Sequence, residues 1–128
     1  MNIQEDYVSF ETAKLLKEKG FDVYGDGSFN SGIEVFAEYS PSGTFNKCIT
    51  SKPHQKAYPA PSLYVAMKWL REVHNIFISP RIQNNGTYIC YLYDTNGNAI
   101  QGYDKTLVQA TCEEACEAIL KYCLENLI

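Results

Sequence analysis

The chain has 128 residues, of which 45% are hydrophobic and 13% aromatic, and its formal net charge is −4 at pH 7. This length suits one folded domain, and the composition excludes a disordered or fibrous protein. No apolar run approaches the roughly 20 residues that a membrane-spanning helix needs, and residues 1–10 lack the positive and apolar regions of a signal peptide. We therefore predict a cytoplasmic protein.

The N-terminal part of the sequence predicts a helix followed by a hairpin. Ser9 can cap the helix by accepting a hydrogen bond from a free backbone N–H, and Gly20 can end it in the left-handed conformation. Residues 33–39 alternate apolar and polar side chains, as a half-buried strand does, and after an SPSG turn residues 44–50 form the antiparallel return strand. Residues 51–61 contain three prolines and no periodicity, and they predict a connector.

The clearest helix in the sequence begins after Pro61, with Ser62 as its cap. Spacings of three and four residues place six side chains on its core face: Leu63, Ala66, Met67, Leu70, Val73 and His74. Val65 and Trp69 lie on a neighbouring arc, and two interpretations stay open. Trp69 either packs beneath another segment of the chain, or it forms with Val65 an exposed anchor for a protein partner.

Strands and a final helix follow the central helix. The isoleucines of NIFISPRI predict a strand that Pro80 breaks or places at a sheet edge. Residues 87–93, TYICYLY, are the strongest strand in the chain, and Asn96-Gly97 predicts a hairpin. The return strand is expected to contain Ala99, Ile100 and Tyr103. The final helix begins at Thr111, which forms a T-x-x-E capping box with Glu114.

The cysteines and histidines give little support to an enzyme or a metal site. Five cysteines without paired spacing predict reduced thiols, not a disulfide framework. Cys112, Cys116 and Cys123 share the apolar stripe of the final helix, so we assign them to the core. No catalytic, cofactor-binding or metal-binding motif is present, and a small enzyme built on Cys48 and His54 is the third functional hypothesis.

Charge is distributed unevenly along the chain. Residues 1–38 carry a net charge of −5, residues 39–93 carry +5 and residues 94–128 carry −4. The basic middle is either an ordinary solvated surface or an anion-binding patch, on which Tyr58 and Tyr64 could stack with bases. The cations of this nucleic-acid alternative are Lys47, Lys52, Lys56, Lys68 and Arg71.

Taken together, these elements predict a single α+β domain over residues 1–128, with an antiparallel sheet that the helices cover on one face. A helix and hairpin occupy residues 1–50, the connector follows, and an α-β-β-β-α unit occupies residues 62–128. The order of this unit is similar to the double-stranded-RNA-binding domain. That family begins its second helix with a basic cluster that meets phosphates, whereas the corresponding start here is Thr111-Cys112-Glu113-Glu114.

Three blocks of sequence carry a second resemblance. They are VSFETAKLLKEKGF at 8–21, APSLYVAMKWLREVHNI at 60–76 and TCEEACEAILKYCLENLI at 111–128. In these blocks the chain resembles a family of small proteins encoded by phages and prophages of gut bacteria. The resemblance implies a cytoplasmic, phage-associated context, and it transfers no catalytic residue.

The favoured hypothesis is therefore a non-enzymatic phage accessory protein that binds a protein partner. Its predicted contact residues are Val65 and Trp69 on the central helix or Tyr91 and Tyr93 on the sheet, and a homodimer is also open. No cofactor is expected. Nucleic-acid binding is the alternative, and it would be distinguished by a steep weakening with salt.

Overall fold

A computed structural model of the chain describes residues 6–21, 35–49, 56–100 and 108–128. Its elements are α1 (Phe10–Glu18), β1 (Val35–Tyr39), β2 (Phe45–Ile49), β3 (Tyr58–Pro59), α2 (Leu63–His74), β4 (Ile76–Ile82), β5 (Tyr88–Asp94) and α3 (Cys112–Asn126). The fold class is α+β, as predicted, and the strands of both sheets pair antiparallel. Two compact units are formed, Met1–Ala66 (unit 1) and Met67–Ile128 (unit 2), and their boundary falls inside α2. The single domain stays a prediction.

The predicted limits of α1 are confirmed. The Ser9 side chain accepts a hydrogen bond of 3.3 Å from the backbone N–H of Thr12 at the start of the helix. After the last turn, Gly20 has a φ of +95°, and the Phe21 N–H donates to the Leu16 carbonyl over 2.9 Å. This left-handed ending folds Phe21 back, where it is buried.

Unit 1 contains a three-stranded sheet in the order β2-β1-β3. The predicted β1–β2 hairpin is confirmed, but the connector was predicted wrongly in part, because Tyr58 and Pro59 pair with β1. Proline is tolerated there because an edge strand needs hydrogen-bond donors on one side only. Glu38 belongs to the polar set of the alternation that predicts β1, yet it is buried. Glu38 is 2% exposed and lies on β1, the central strand, with β2 and β3 on either side.

The free backbone N–H groups at the start of α2 find hydrogen-bond acceptors in two places. Its cap is confirmed, because the Val65 N–H donates to the Ser62 hydroxyl oxygen over 3.2 Å. A second free donor, the Leu63 N–H, reaches the Asp6 carbonyl over 2.7 Å. The first turn of α2 is thereby tied to the N-terminal segment of unit 1.

In unit 2, β4 and β5 form a two-stranded sheet on which α3 packs. The N–H groups of Tyr88 and Asp94 donate away from β4, to Gln109 and Asn98. The even-numbered residues of β5 therefore form non-hydrogen-bonded pairs with the even-numbered residues of β4. Their backbone N–H and C=O groups point away from the partner strand. Pro80 is one of these residues, so its missing N–H lies on the outer edge of β4. The predicted edge position of Pro80 is confirmed.

The third strand of the predicted α-β-β-β-α unit is present only as isolated bridges in the described part of unit 2. Ala99 pairs with Tyr93, and Gln109 pairs with Tyr88. A regular return strand that began with Ala99 opposite Tyr93 would place residue 104 opposite Tyr88, so the pairing is not continuous. Tyr103, which we expected in this strand, lies outside the described residues.

The capping box of α3 is confirmed. The Glu114 N–H donates to the Thr111 hydroxyl oxygen over 3.1 Å, and the hydroxyl in turn donates to the Glu114 carboxylate over 2.9 Å. Along the helix, the buried residues are Ala115, Cys116, Ile119, Leu120, Cys123 and Leu124. Within the described residues, no helix combines the length and the apolar character needed to cross a membrane.

The same loop occurs three times in the described part of the chain, at residues 40–44, 83–87 and 94–98. In each, the first N–H donates to the last carbonyl, the glycine N–H donates back to the first carbonyl, and the glycine has a φ between +82° and +94°. This is a type I turn followed by a left-handed glycine. The Asn96-Gly97 hairpin is thus confirmed, but with a three-residue loop in which Gly97 alone has a positive φ.

We expect Pro80→Val to promote self-association. The substitution supplies an outward N–H on the edge of β4 with which no described strand pairs, and exposed edges recruit other chains. Analytical ultracentrifugation across a concentration series measures the effect. Adding Ile82→Pro removes another outward donor and should reverse the added association, whereas equal association of the single and double variants would contradict the edge explanation.

Candidate functional site

Val65 and Trp69 do not form the exposed anchor that the sequence allowed. Their side chains are 7% and 8% exposed, and the Trp69 ring meets the His74 ring edge-on at 4.8 Å. The buried side of α2 is rotated toward these two residues, and Val73, which we expected in the core, is 56% exposed. The other interpretation, that Trp69 packs within the chain, agrees with this burial.

The two tyrosines predicted to bind a partner do lie together. Side chains alternate across a strand, and Ile78, Cys90 and Leu92 are buried on the side of the sheet that meets α3. Tyr91 and Tyr93 therefore belong to the opposite side, where both are half-buried. We call this side the tyrosine–arginine face, and its strand residues are Phe77, Ser79, Arg81, Ile89, Tyr91 and Tyr93.

Two guanidinium groups are stacked on this face. The Arg81 guanidinium lies 4.8 Å from the centre of the Tyr91 ring, and that of Arg71 on α2 lies 5.6 Å from the centre of the Phe77 ring. Such a contact contributes about 0.5–1 kcal/mol at an exposed site and orients the flat cation over the ring. None of the strand residues of the face is acidic, so it carries two positive charges on an aromatic surface.

Comparison of the chain with protein-family models, curated proteins and solved structures found no match. Its function must therefore be argued from the geometry of its own residues.

The predicted basic patch is divided between the two units. Lys47 and Lys56 are exposed in unit 1, whereas Lys68 and Arg71 lie three residues apart on the part of α2 that belongs to unit 2. Lys52 lies outside the described residues. Tyr64, which could stack with bases in the nucleic-acid alternative, is 66% exposed.

Unit 1 contains an aromatic row that the sequence analysis did not find. Its five rings contact one another in the order Tyr58, Phe10, Tyr39, Phe45 and Tyr7, with centre-to-centre distances of 5.7, 5.5, 5.3 and 5.4 Å. These residues come from four separate segments. The SPSG turn could have indicated the pair of Tyr39 and Phe45, but the addition of Tyr58 depends on β3, which was not predicted.

The thiols described in unit 2 are poorly suited to catalysis. Burial raises the pKa of Cys123 to about 12, and a hydrogen bond with Cys90 followed by burial raises the pKa of Cys116. Burial and the neighbouring Cys116 also raise the pKa of Cys112, which is half-buried. Protonated thiols are weak nucleophiles and weak metal ligands. No group of His, Cys, Asp and Glu in the described part of the chain could hold a metal ion.

Asp94 and His74 are titratable side chains of unit 2 that lie outside the tyrosine–arginine face. The carboxylate of Asp94 accepts backbone N–H bonds from Asn98 and Asn96, which lowers its pKa and places it in a turn. His74, which we predicted on the core face of α2, is half-buried, and its Nε2 atom is buried without a hydrogen-bond partner among the described residues. The predicted pairing of Cys48 with His54 lies outside what the structure describes, because His54 and the Cys48 side chain are not included.

Proposed function

We propose that the chain is a non-enzymatic accessory protein that binds another protein through the tyrosine–arginine face. The observation that carries the proposal is the pair of guanidinium groups stacked on Tyr91 and Phe77, without an acidic residue among the strand residues of that face. Tyrosine, phenylalanine and arginine are enriched in protein interfaces, and buried tyrosines and arginines dominate their energetics. A phage-associated, cytoplasmic setting is part of the proposal and rests on the three sequence blocks that resemble phage-encoded proteins.

The charge of the face indicates the kind of protein that it fits. Arg71 and Arg81 would be desolvated by a partner, and an unpaired buried charge is costly. A surface that presents carboxylates beside apolar side chains would pair with both cations and cover Phe77, which is 41% exposed. A second copy of the same face would bring four guanidinium groups together, so face-to-face homodimers are disfavoured.

A displayed library of random peptides tests this recognition directly. We expect peptides selected on the purified protein to be rich in acidic and aromatic residues, because these complement the stacked cations. Selection on the Arg71→Glu/Arg81→Glu variant should instead lose the acidic preference. Selected peptides of the same composition on both proteins would contradict the proposal.

Titration calorimetry with a selected peptide then locates the site. Arg81→Ala and Tyr91→Ala should each weaken binding by about 2 kcal/mol, or roughly 30-fold, as loss of a central interface residue does. Arg81→Lys keeps the charge but not the flat guanidinium, so we expect it to bind poorly as well. The matched control is Lys68→Ala, which removes an exposed cation of unit 2 that has no ring contact among the described residues. An equal loss in this control would show that only net charge matters.

A further inference from the structure

The aromatic row of unit 1 is a second candidate binding surface, and its composition differs from that of the tyrosine–arginine face. Tyr39 is paired with Phe45 on one side and with Tyr58 on the other, so the three rings project from the same face of the sheet. Phe10 of α1 lies against two of these rings, and Tyr7 extends the row at its other end. Four of the rings are half-buried and Phe45 is 41% exposed. The result is a continuous strip of partly accessible ring surface.

Three lysines accompany this strip. The ammonium groups of Lys14, Lys17 and Lys47 lie 4.6, 5.1 and 5.8 Å from the ring centres of Phe10, Tyr58 and Tyr7, respectively. Lys17 is also held in place by a 2.9 Å hydrogen bond to the Ala57 carbonyl. Lys47 lies two residues after Phe45 on β2, so both project from the same face of the strand. Positive charge therefore accompanies the ring surface at both ends of the row.

We propose that this row binds single-stranded nucleic acid, with bases stacked on the rings and phosphates paired with the lysines. Every base has a flat face, and proteins bind single strands without reading their sequence by combining aromatic rings with cations. The cations here are all lysines, which are depleted in protein interfaces but serve as point charges for phosphate. This composition distinguishes the row from the tyrosine–arginine face, whose cations are both arginines.

The charges on α1 limit where the strand would run. At 3.6 residues per turn, Lys17, Phe10 and Lys14 fall within an arc of about 60°, and Glu18 and Glu11 occupy the adjoining arc. Those two carboxylates would repel phosphates that crossed over the helix. The strand should therefore follow the rings along the sheet, past Phe45 and Lys47, and not cross the outer surface of α1.

Fluorescence anisotropy with labelled oligonucleotides tests the proposal on the full chain. We expect oligothymidylate to bind at least tenfold more tightly than an abasic oligonucleotide of the same length and charge, because stacking contributes on the order of 1–3 kcal/mol per base. Three phosphate contacts should weaken binding about twentyfold between about 50 and about 200 mM salt. Equal binding of the two oligonucleotides would show attraction by charge alone, and no binding at low salt would also overturn the proposal.

Paired variants place the site on unit 1. Phe45→Ala should weaken oligothymidylate binding about tenfold with little change for the abasic strand, and Lys47→Ala should make the salt dependence shallower. The control is Phe77→Ala, because Phe77 is also 41% exposed but belongs to the tyrosine–arginine face. Phe45→Leu, with circular dichroism as a check on folding, separates loss of stacking from loss of structure. Equal weakening by Phe45→Ala and Phe77→Ala would overturn the assignment to the aromatic row.

Discussion

Raising the pH from about 9 to about 12 should lower the free energy of unfolding by about 3 kcal/mol through Cys123 alone. Burial raises the pKa of this thiol from the ordinary value of 9.0 to about 12. Below pH 9 the thiol is protonated in both the folded and the unfolded chain, so its effect on stability does not vary. Above pH 9 the unfolded chain loses the proton while the folded chain retains it. Each pH unit then favours unfolding by about 1.4 kcal/mol.

Cys116 should steepen this alkaline loss, because its hydrogen bond with Cys90 and its burial raise its pKa as well. Urea unfolding at several pH values, under reducing conditions, measures the slope. Trp69 is the only tryptophan of the chain and is 8% exposed, so its fluorescence reports on unit 2.

Two variants separate thiol titration from packing. Cys123→Ala should make the pH dependence shallower by about 1.4 kcal/mol per pH unit. Ile119→Val, at a position that is 1% exposed, loses packing of similar size but no titrating group, so it should lower stability at every pH without changing the slope. The same slope in Cys123→Ala and the wild type would refute the thiol explanation.

Gly43→Ala should destabilise the protein by about 2–4 kcal/mol, whereas Gly86→Ala should cost only about 1 kcal/mol. Both glycines have a positive φ in the same kind of loop, +94° and +82°, so the backbone penalty for alanine is shared. Their surroundings differ. A Cβ at Gly43 would lie 3.1 Å from the Phe10 ring, but nothing lies within 4 Å of the Cβ position at Gly86.

The additional cost arises because the Phe10 ring cannot easily retreat. It contacts the rings of Tyr39 and Tyr58 within the aromatic row, and crowding a packed site costs about 1–3 kcal/mol. Urea unfolding followed by far-ultraviolet circular dichroism measures both variants. In a Phe10→Leu background the difference between the two glycines should shrink, as a double-mutant cycle would show. Equal losses of unfolding free energy for the two glycine variants in the wild-type background would mean that the Phe10 ring moves aside without cost.

Local signals in the sequence predicted most of the elements. Caps at Ser9, Ser62 and Thr111, the left-handed Gly20 and the edge position of Pro80 each depend on a few neighbouring residues, and the structure confirms them. Each of these features is stabilised by interactions between residues that are close in the sequence, so distant contacts do not override it.

Features that depend on distant pairing were the ones missed. A helical wheel shows that Val65 and Trp69 share an arc, but it does not show what covers that arc, and both proved to be buried. Tyr58 and Pro59 form a strand because they pair with β1, and no pattern in the neighbouring sequence predicts this pairing. The aromatic row was missed for the same reason, because it depends on the pairing of β3 with β1. Tyr91 and Tyr93 were recognised because alternation within one strand is itself a local signal.

The repeated three-residue loop does more than connect strands. Because successive side chains of a strand point to opposite faces, a shift of one residue in the pairing of β4 with β5 would move Cys90 and Leu92 to the side now occupied by Tyr91 and Tyr93. The loop at residues 83–87 fixes that pairing through its length and its left-handed glycine. Gain or loss of a single residue there would therefore replace the two tyrosines of that surface with Cys90 and Leu92, without altering any residue of either strand.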